Sequence, residues 1–351
     1  LMQSLGCANY DCRQDGAKID ASDRSSYIMN TGIANLEQAD VVLFVGTNPR
    51  HEAPIVNTRL RKAYITKGTA FYNVGLPVNL TYPVNELGNT PALLNDIATG
   101  AHPLSKILAE AKNPVLIMGS AAAARDDGAA ILAACKAIAD NCNLIREGWN
   151  GFNMLHYAAS RVGGLDIGFV PPRGGGGKDV AGIIHAIEHK DIEVLYLLGV
   201  DEIDMSYFGD AFVIYQGHHG DIGAHRADVI LPGSAYTEKD AMYVNTEGRA
   251  QEAHRCVFPV GDAKEDWAII RALSEVLGKT LPYDTLADVR ARLVKENPLF
   301  AEMDVIKPAV WASFGKEGKC DKAPFVLPIG NFYMTDPITR ASAVMQECAD
   351  A

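Results

Sequence analysis

The residues best suited to chemistry gather in one stretch, Ala227 to Gln251 (ADVILPGSAYTEKDAMYVNTEGRAQ). Thr237, Glu238, Lys239 and Asp240 place a hydroxyl, two acids and a base side by side, and Asn245, Glu247 and Arg249 follow a short apolar return. Such a set can move a proton or hold an ion pair. Polar loops beside buried strands also collect these residue types to satisfy their own backbone, and no nucleophile is paired with a base here. Just upstream, Gln216-Gly217-His218-His219-Gly220-Asp221 offers two imidazoles, with His225 beyond them. Consecutive side chains point apart and the spacing supplies no third ligand, so a hydrogen-bonding loop is expected rather than a metal site. Gly46-Thr47-Asn48-Pro49 is a third candidate, a tight turn directly after an apolar run. Arg173-Gly174-Gly175-Gly176-Gly177-Lys178 lacks the GxxxxGK[ST] spacing of a phosphate loop and reads as a flexible surface loop.

The elements that must position these groups follow from pattern. Val41–Val45, Ala70–Val74, Val115–Met118, Val194–Leu198, Phe212–Tyr215 and Val229–Leu231 read as apolar strands of the kind buried in parallel sheets. Helical spacing is expected over Ala53–Lys67 (Ile55, Leu60, Ala63 and Tyr64 inward), Asp127–Ala139, Gly151–Arg161, Val180–His189 and Glu265–Leu277 (Trp267, Ile270, Leu273 and Leu277 inward). VVLFVGTNP, VLIMGS and VLYLLGVDE form a weak internal repeat, each a strand ending in glycine. The expected class is α/β: two doubly wound, mostly parallel-sheet lobes with an irregular C-terminal strap. The expected divisions are a first lobe over 1–110, a second over 111–192, a return to the first over 193–280, and an extended tail over 281–351. Six prolines divide that tail, while Trp311, Phe314, Phe325, Phe332 and Tyr333 supply anchors that hold it on the body or on a partner.

Bulk properties remove several classes of function. The 351 residues carry a net charge of −11, and no basic cluster offers a nucleic-acid surface. No apolar run approaches the ~20 residues of a membrane helix, so membrane association is expected only through partners. Seven scattered cysteines without a CxxC read as reduced structural thiols; Cys7 and Cys12, the closest pair, lack further ligands nearby. Leu1-Met2-Gln3 shows neither an initiator nor a signal-peptide pattern, and a processed, split or partial chain is expected.

ADVVLFVGTNPRHEAP, YQGHHGDIGAHRADVILPGSAYTEKDAMYVNTEGRAQ, EDWAIIRALSE, TLPYDTL and FYMTDPITRAS, in that order from about Ile33 onward, resemble the large iron–sulfur subunit of respiratory complex I. The resemblance implies a fold of the molybdopterin-oxidoreductase type. In that superfamily the GTNP turn and the ADVILP…NTEGR segment wall a pterin cleft. In the complex I subunit the cleft is regarded as vestigial and the domain as structural. Gly46, Asn48, His218, His219, Asn245, Glu247 and Arg249 are then the vestigial cleft positions, with no catalytic residue, cofactor or metal expected in this segment. The glycine-rich 217–223 stretch replaces a Thr/Glu-rich segment common in cofactor binders, and the 174–177 glycines look like an insertion. The [2Fe–2S] and [4Fe–4S] clusters of the family are implied for an N-terminal part outside this chain. Partners implied are that part, the NADH-binding flavoprotein subunit and other hydrophilic subunits, on the matrix side of a mitochondrial inner membrane or the cytoplasmic face of a bacterial one. An active pterin-dependent oxidoreductase fragment and a free-standing binding protein of the same fold are the alternatives.

Overall fold

The computed structural model describes residues 1–351. Val41–Val45 forms β1, every residue of it buried, and short helix α1 (Pro49–Glu52) and then α2 (Pro54–Lys67) carry the chain back to β2 (Ala70–Val74). The face that α2 buries is set by Val56, Leu60 and Ala63, spaced i, i+4 and i+7. Ile55 and Tyr64, expected inward, face solvent. β3 (Asn85–Gly88), α3 (Leu93–Ala98) and α4 (Leu104–Glu110) lead to β4 (Pro114–Gly119), α5 (Ser120–Ala124) and α6 (Gly128–Asn141). A two-residue ladder, β5 (Ile145–Arg146) with β6 (Trp149–Asn150), precedes β7 (Phe152–Leu155), and α7 (Arg161–Asp166) follows. The helix expected over Gly151–Arg161 is therefore a strand. All four residues of Phe152–Leu155 are buried, and such a short run has no periodicity to separate the two states.

These strands make one parallel sheet in the order β3-β2-β1-β4-β7. Residues 114–155 thus extend the sheet of β1 and do not begin a second lobe at 111. That sheet stops at β7 because Met29 bridges Asn153 and Ile28 O accepts from Met154 N, covering the outer strand's free edge.

A second parallel sheet starts afterwards. α8 (Val180–Glu188) precedes β8 (Val194–Leu198), β9 (Phe212–Gly217), α9 (Ile222–Arg226) and β10 (Val229–Pro232), ordered β10-β9-β8. β10 is not the buried strand expected: it is an edge, and Val229 and Ile230 lie exposed. Residues 194–232 thus form a sheet of their own. Only the hairpin β11 (Ala241–Val244) and β12 (Ala250–Ala253) returns to the first body, where Val244 and Ala250 join the main core.

The tail is more ordered than its prolines suggest. After α10 (Asp266–Val276), α11 (Leu286–Glu296) opens on a capping box in which Thr285 Oγ1 accepts from Asp288 N and the Asp288 carboxylate accepts from Thr285 N. α12 (Pro337–Arg340) and α13 (Ala343–Asp350) close the chain. Phe300, Phe314, Cys320 and Phe325 are buried with β1, β4 and α6 in the largest core, so the tail is a strap on the body. Phe314 packs on Phe152 and Trp311 with ring centroids 5.1 and 5.0 Å apart.

Asp166, at the end of α7, ties four distant segments. Its buried carboxylate accepts from Arg24 Nε (2.9 Å) and Tyr27 Oη (2.9 Å), while Arg24 also donates to Gly248 O and Lys307 O. Asp166→Asn leaves the guanidinium without its counter-charge. We expect a stability loss of about 3 kcal/mol by denaturant titration, with Asn297→Ala, which breaks two neutral bonds, to Asp166 O and from Leu299 N, costing only about 1–2 kcal/mol.

Candidate functional site

In a parallel sheet wound both ways from a central strand, the crevice for ligands opens outside the carboxyl ends at the strand pair where the winding reverses. Here that pair is β1 and β4. β1 ends in Gly46 and β4 in Gly119, and the two turns touch. A Cβ on Gly119 would lie 2.6 Å from Gly46 O and 2.9 Å from Thr47 Cβ. Gly46 itself has φ +57°, open to glycine at no steric cost. The contact demands glycine at 119, and the positive φ favours it at 46.

The donors at the turn are already occupied. Glu52 reaches back from the end of α1, and its Oε1 accepts from Asn48 N (2.5 Å) and Thr47 Oγ1 (2.9 Å). Asn48 caps α1 by accepting from Arg50 N. The Glu52 stem keeps some solvent contact, but Oε2 is sealed and without a partner. Burial, opposed by the two hydrogen bonds, pushes this carboxyl up to about 7. It is the group at the switch point whose charge changes near neutral pH.

The polar loop of Ala227–Gln251 is spent on structure. Glu247, buried, accepts from Ile33 N (2.7 Å) and Asn245 Nδ2 (3.3 Å) and lies 3.6 Å from Arg249. Asn245 Oδ1 accepts from Glu247 N and Arg249 N, which folds the NTEGR turn around one side chain. Arg249 donates to Asp304 O (2.7 Å) in the tail. Met29 N donates to Thr246 O, and Thr246 Oγ1 to Met154 O. Upstream, Glu238 accepts from Ala235 N, Lys239 pairs with Asp266, and Asp240 accepts from Arg255 N.

His218 and His219 sit at the end of β9 in the second sheet, Nδ1 to Nδ1 at 2.7 Å, so one of the two must donate. Partial burial, then the neighbouring His219 and Lys239, hold His218 below the usual imidazole range. No hydrogen bond or ion pair joins this pair to Gly46–Asn48 or to Asn245–Arg249; the seven expected positions fall into three separate groups. A further surface cluster, His185, Glu188 and His189 at the end of α8, has ligand atoms within 4.8 Å of one another, and all three residues are exposed.

Several residues central to the switch point are given no role by sequence. Glu52 falls within the ADVVLFVGTNPRHEAP motif without standing out in it, and Asn89 and Arg125 lie outside any motif, Arg125 between α5 and the Asp127 cap of α6. Also unforeseen is a buried group behind the first sheet: Tyr157 Oη and Arg161 donate to Asp15 (2.8 and 3.0 Å), and His156 Nε2 donates to Tyr27 O (2.6 Å). Burial drives His156 down to about 4, so it is neutral and its partnered nitrogen is the protonated one.

Comparison with known proteins follows the same division. Residues 1–276 match the molybdopterin oxidoreductase family, and residues 305–348 the C-terminal family of the NADH-ubiquinone oxidoreductase G subunit. The G subunit of NADH-quinone oxidoreductase from Rickettsia bellii is 41% identical over 351 residues, all of this chain and 50% of that protein. The mitochondrial NADH dehydrogenase [ubiquinone] iron-sulfur protein 1 of Solanum tuberosum is 43% identical over 353 aligned residues, covering 99% of this chain and 46% of its own length. The chain therefore spans about half the length of these relatives. In fold it is similar to a chain of the formyltransferase/hydrolase complex of Methylorubrum extorquens, with a TM-score of 0.53 at 14% identity, over 79% of this chain and 88% of that one.

Glu52 gives the site a measurable signature. Its folded-state value near 7 lies above the ordinary glutamate value, so the unfolded chain ionises first as pH rises. Stability from the protonated form is full below about pH 4.5 and is lost progressively up to about pH 7, by at most ~3 kcal/mol. Glu52→Gln mimics the protonated carboxyl. The melting temperature of the variant minus that of the wild type is expected to rise between pH 4.5 and pH 8; a difference independent of pH would contradict the assignment.

Proposed function

This chain belongs to the molybdopterin oxidoreductase family, and from that footing we propose that it is a structural part of the peripheral, electron-input arm of a proton-pumping NADH:quinone oxidoreductase. The segment supports electron transfer from NADH towards quinone without carrying a redox centre. The iron–sulfur clusters belong to the remaining half of the subunit. Similarity along the whole of this chain to the bacterial G subunit and its mitochondrial counterpart, through both family modules in order, supports the assignment.

The observation that carries the non-catalytic reading is the use made of the NTEGR loop. In it every group suited to acid–base work is consumed by backbone or by a neighbouring segment: Glu247 holds Ile33, Arg249 holds Asp304, and Asn245 holds its own turn. A carboxylate that accepts two hydrogen bonds, faces one guanidinium and is closed from solvent is a fastener, and removing one partner leaves it less satisfied.

Partners under this reading are the iron–sulfur half of the subunit, the NADH-binding flavoprotein subunit and other hydrophilic subunits. No helix is long and apolar enough to cross a membrane. Attachment to the membrane runs through partners, on the matrix side in a mitochondrion or on the cytoplasmic face in a bacterium.

Arg249→Ala in the full-length subunit tests the proposal. It removes a charge-assisted bond to the tail, worth about 2 kcal/mol, so the amount of assembled complex is expected to fall. NADH–quinone turnover per bound flavin in the assembled fraction is expected to stay at the wild-type value. Normal assembly with depressed turnover would return the loop to a catalytic role.

A further inference from the structure

We infer that the crevice at the carboxyl ends of β1 and β4 is a peptide-binding site occupied in cis by the chain's own Cys320–Phe325 segment, which closes the switch point to any external ligand. The inference stands on this chain alone and does not depend on its proposed place in a larger complex.

The occupant is held at every step. Phe325 lies on the Gly46 turn, where a Cβ would come within 2.7 Å of its ring, and Ala122 of α5 flanks the same spot at 3.1 Å. The ring is 1% exposed, whereas its neighbour Val326 is 69% exposed, so the chain alternates and drives one side chain inward. Asn89, which follows β3, reads the backbone of Phe325 from both sides: its Oδ1 accepts from Phe325 N (2.9 Å) and its Nδ2 donates to Phe325 O (3.3 Å). Arg125, which follows α5, donates to Pro324 O (2.8 Å) and Ala323 O (3.2 Å) and sets its guanidinium 5.4 Å from the Phe325 ring centroid. Asp127 fixes that guanidinium at 2.7 Å and accepts from Asp321 N at 2.7 Å.

These three side chains come from both flanks of the crevice: Asn89 from the β2–β3 side and Arg125 and Asp127 from the β4 side. Their shared object is a six-residue stretch with no secondary structure of its own. Backbone read by a reciprocal amide pair, an aromatic anchor in a closed slot and a guanidinium over its face are the parts of a peptide-recognition site. Upstream the strap is laid on α6, where Gly315 passes so close that a Cβ would fall 2.5 Å from Ala133 N, and Lys316 N donates to Ala129 O (3.0 Å). The effective concentration of such a tethered ligand is high, so it outcompetes a free one.

Two halves of a ligand are thereby replaced from within. The Glu52 carboxylate takes the turn's donors, Asn48 N and Thr47 Oγ1, as an anion would. The Phe325 ring takes the apolar slot over Gly46. A small molecule joining aromatic rings to an acidic group meets both positions already filled.

The test uses this chain with Phe325→Ala, Asn89→Ala and, as control, Val326→Ala. Amide exchange by mass spectrometry should find 320–326 protected in the wild type. Phe325→Ala and Asn89→Ala should each speed exchange there by about tenfold or more while β1 and β4 keep their protection. The probe 8-anilinonaphthalene-1-sulfonate, which carries rings and a sulfonate, should fluoresce with Phe325→Ala at unchanged far-ultraviolet dichroism and stay dark with wild type and Val326→Ala. Asn89→Ala leaves the core ring in place, so it carries the test if Phe325→Ala does not fold. Exchange at 320–326 as fast as in an unstructured peptide in the wild type would overturn the inference. So would a folded Phe325→Ala or Asn89→Ala with wild-type protection.

Discussion

Two strand ends come closer than side chains allow. Gly119 meets the carbonyl of Gly46 at a distance no Cβ would tolerate, and the rest of the first body is arranged around that contact. Because β1 and β4 end in touching glycine turns, the crevice between them is shallow and apolar at its floor. A ring can lie flat on Gly46, and a carboxylate can turn inward from the end of α1 to meet the backbone donors. A methyl group at Gly46 would meet the ring, and one at Gly119 would meet the Gly46 turn itself. The same two glycines that would let a ligand approach a backbone in a doubly wound fold let Phe325 and Glu52 do so from within.

The molecule repeats this strategy elsewhere. Charged groups that would make a catalytic array are used as ties between segments distant in sequence: Asp166 for Arg24 and Tyr27, Glu247 for Ile33, Arg340 for Asp221 and Glu202. The ties join the opening segment to α7, the NTEGR hairpin to the opening segment, and the strap to the loops of the second sheet. The apolar counterpart is the largest core, in which residues from the opening segment, β1, β4, α6, the hairpin and the tail pack together. A structure fastened this way favours rigidity and commits these polar side chains to internal contacts.

Much of this is legible in the sequence. The spans of β1, β2 and β8 can be read to the residue, because a five-residue run that is all apolar or aromatic, save Asn73 in β2, ends in glycine and leaves little choice. The motifs carry the family. What sequence reasoning misses shares a cause. Phe152–Leu155 is a strand because β4 lies beside it, and Val229 and Ile230 are exposed because β10 is the edge of its sheet. α11 escapes notice although Thr285 and Asp288 announce its start, since proline-rich surroundings outweigh the cap. For the site, Gly46, Asn48, Asn245, Glu247 and Arg249 stand out and Phe325 reads as a tail anchor, whereas Glu52, Asn89 and Arg125 do not stand out. A glycine turn or an NTEGR run is a local pattern. The groups that fill the crevice arrive from residues 89, 125 and 325, brought together by long-range packing that no window of sequence contains.

Elemental and pterin analysis of the purified full-length subunit tests the central claim most directly. A scaffold whose switch-point crevice is filled by its own chain holds molybdenum, tungsten and extractable pterin at background, far below one per chain. Stoichiometric molybdenum or tungsten with an extractable pterin would contradict it.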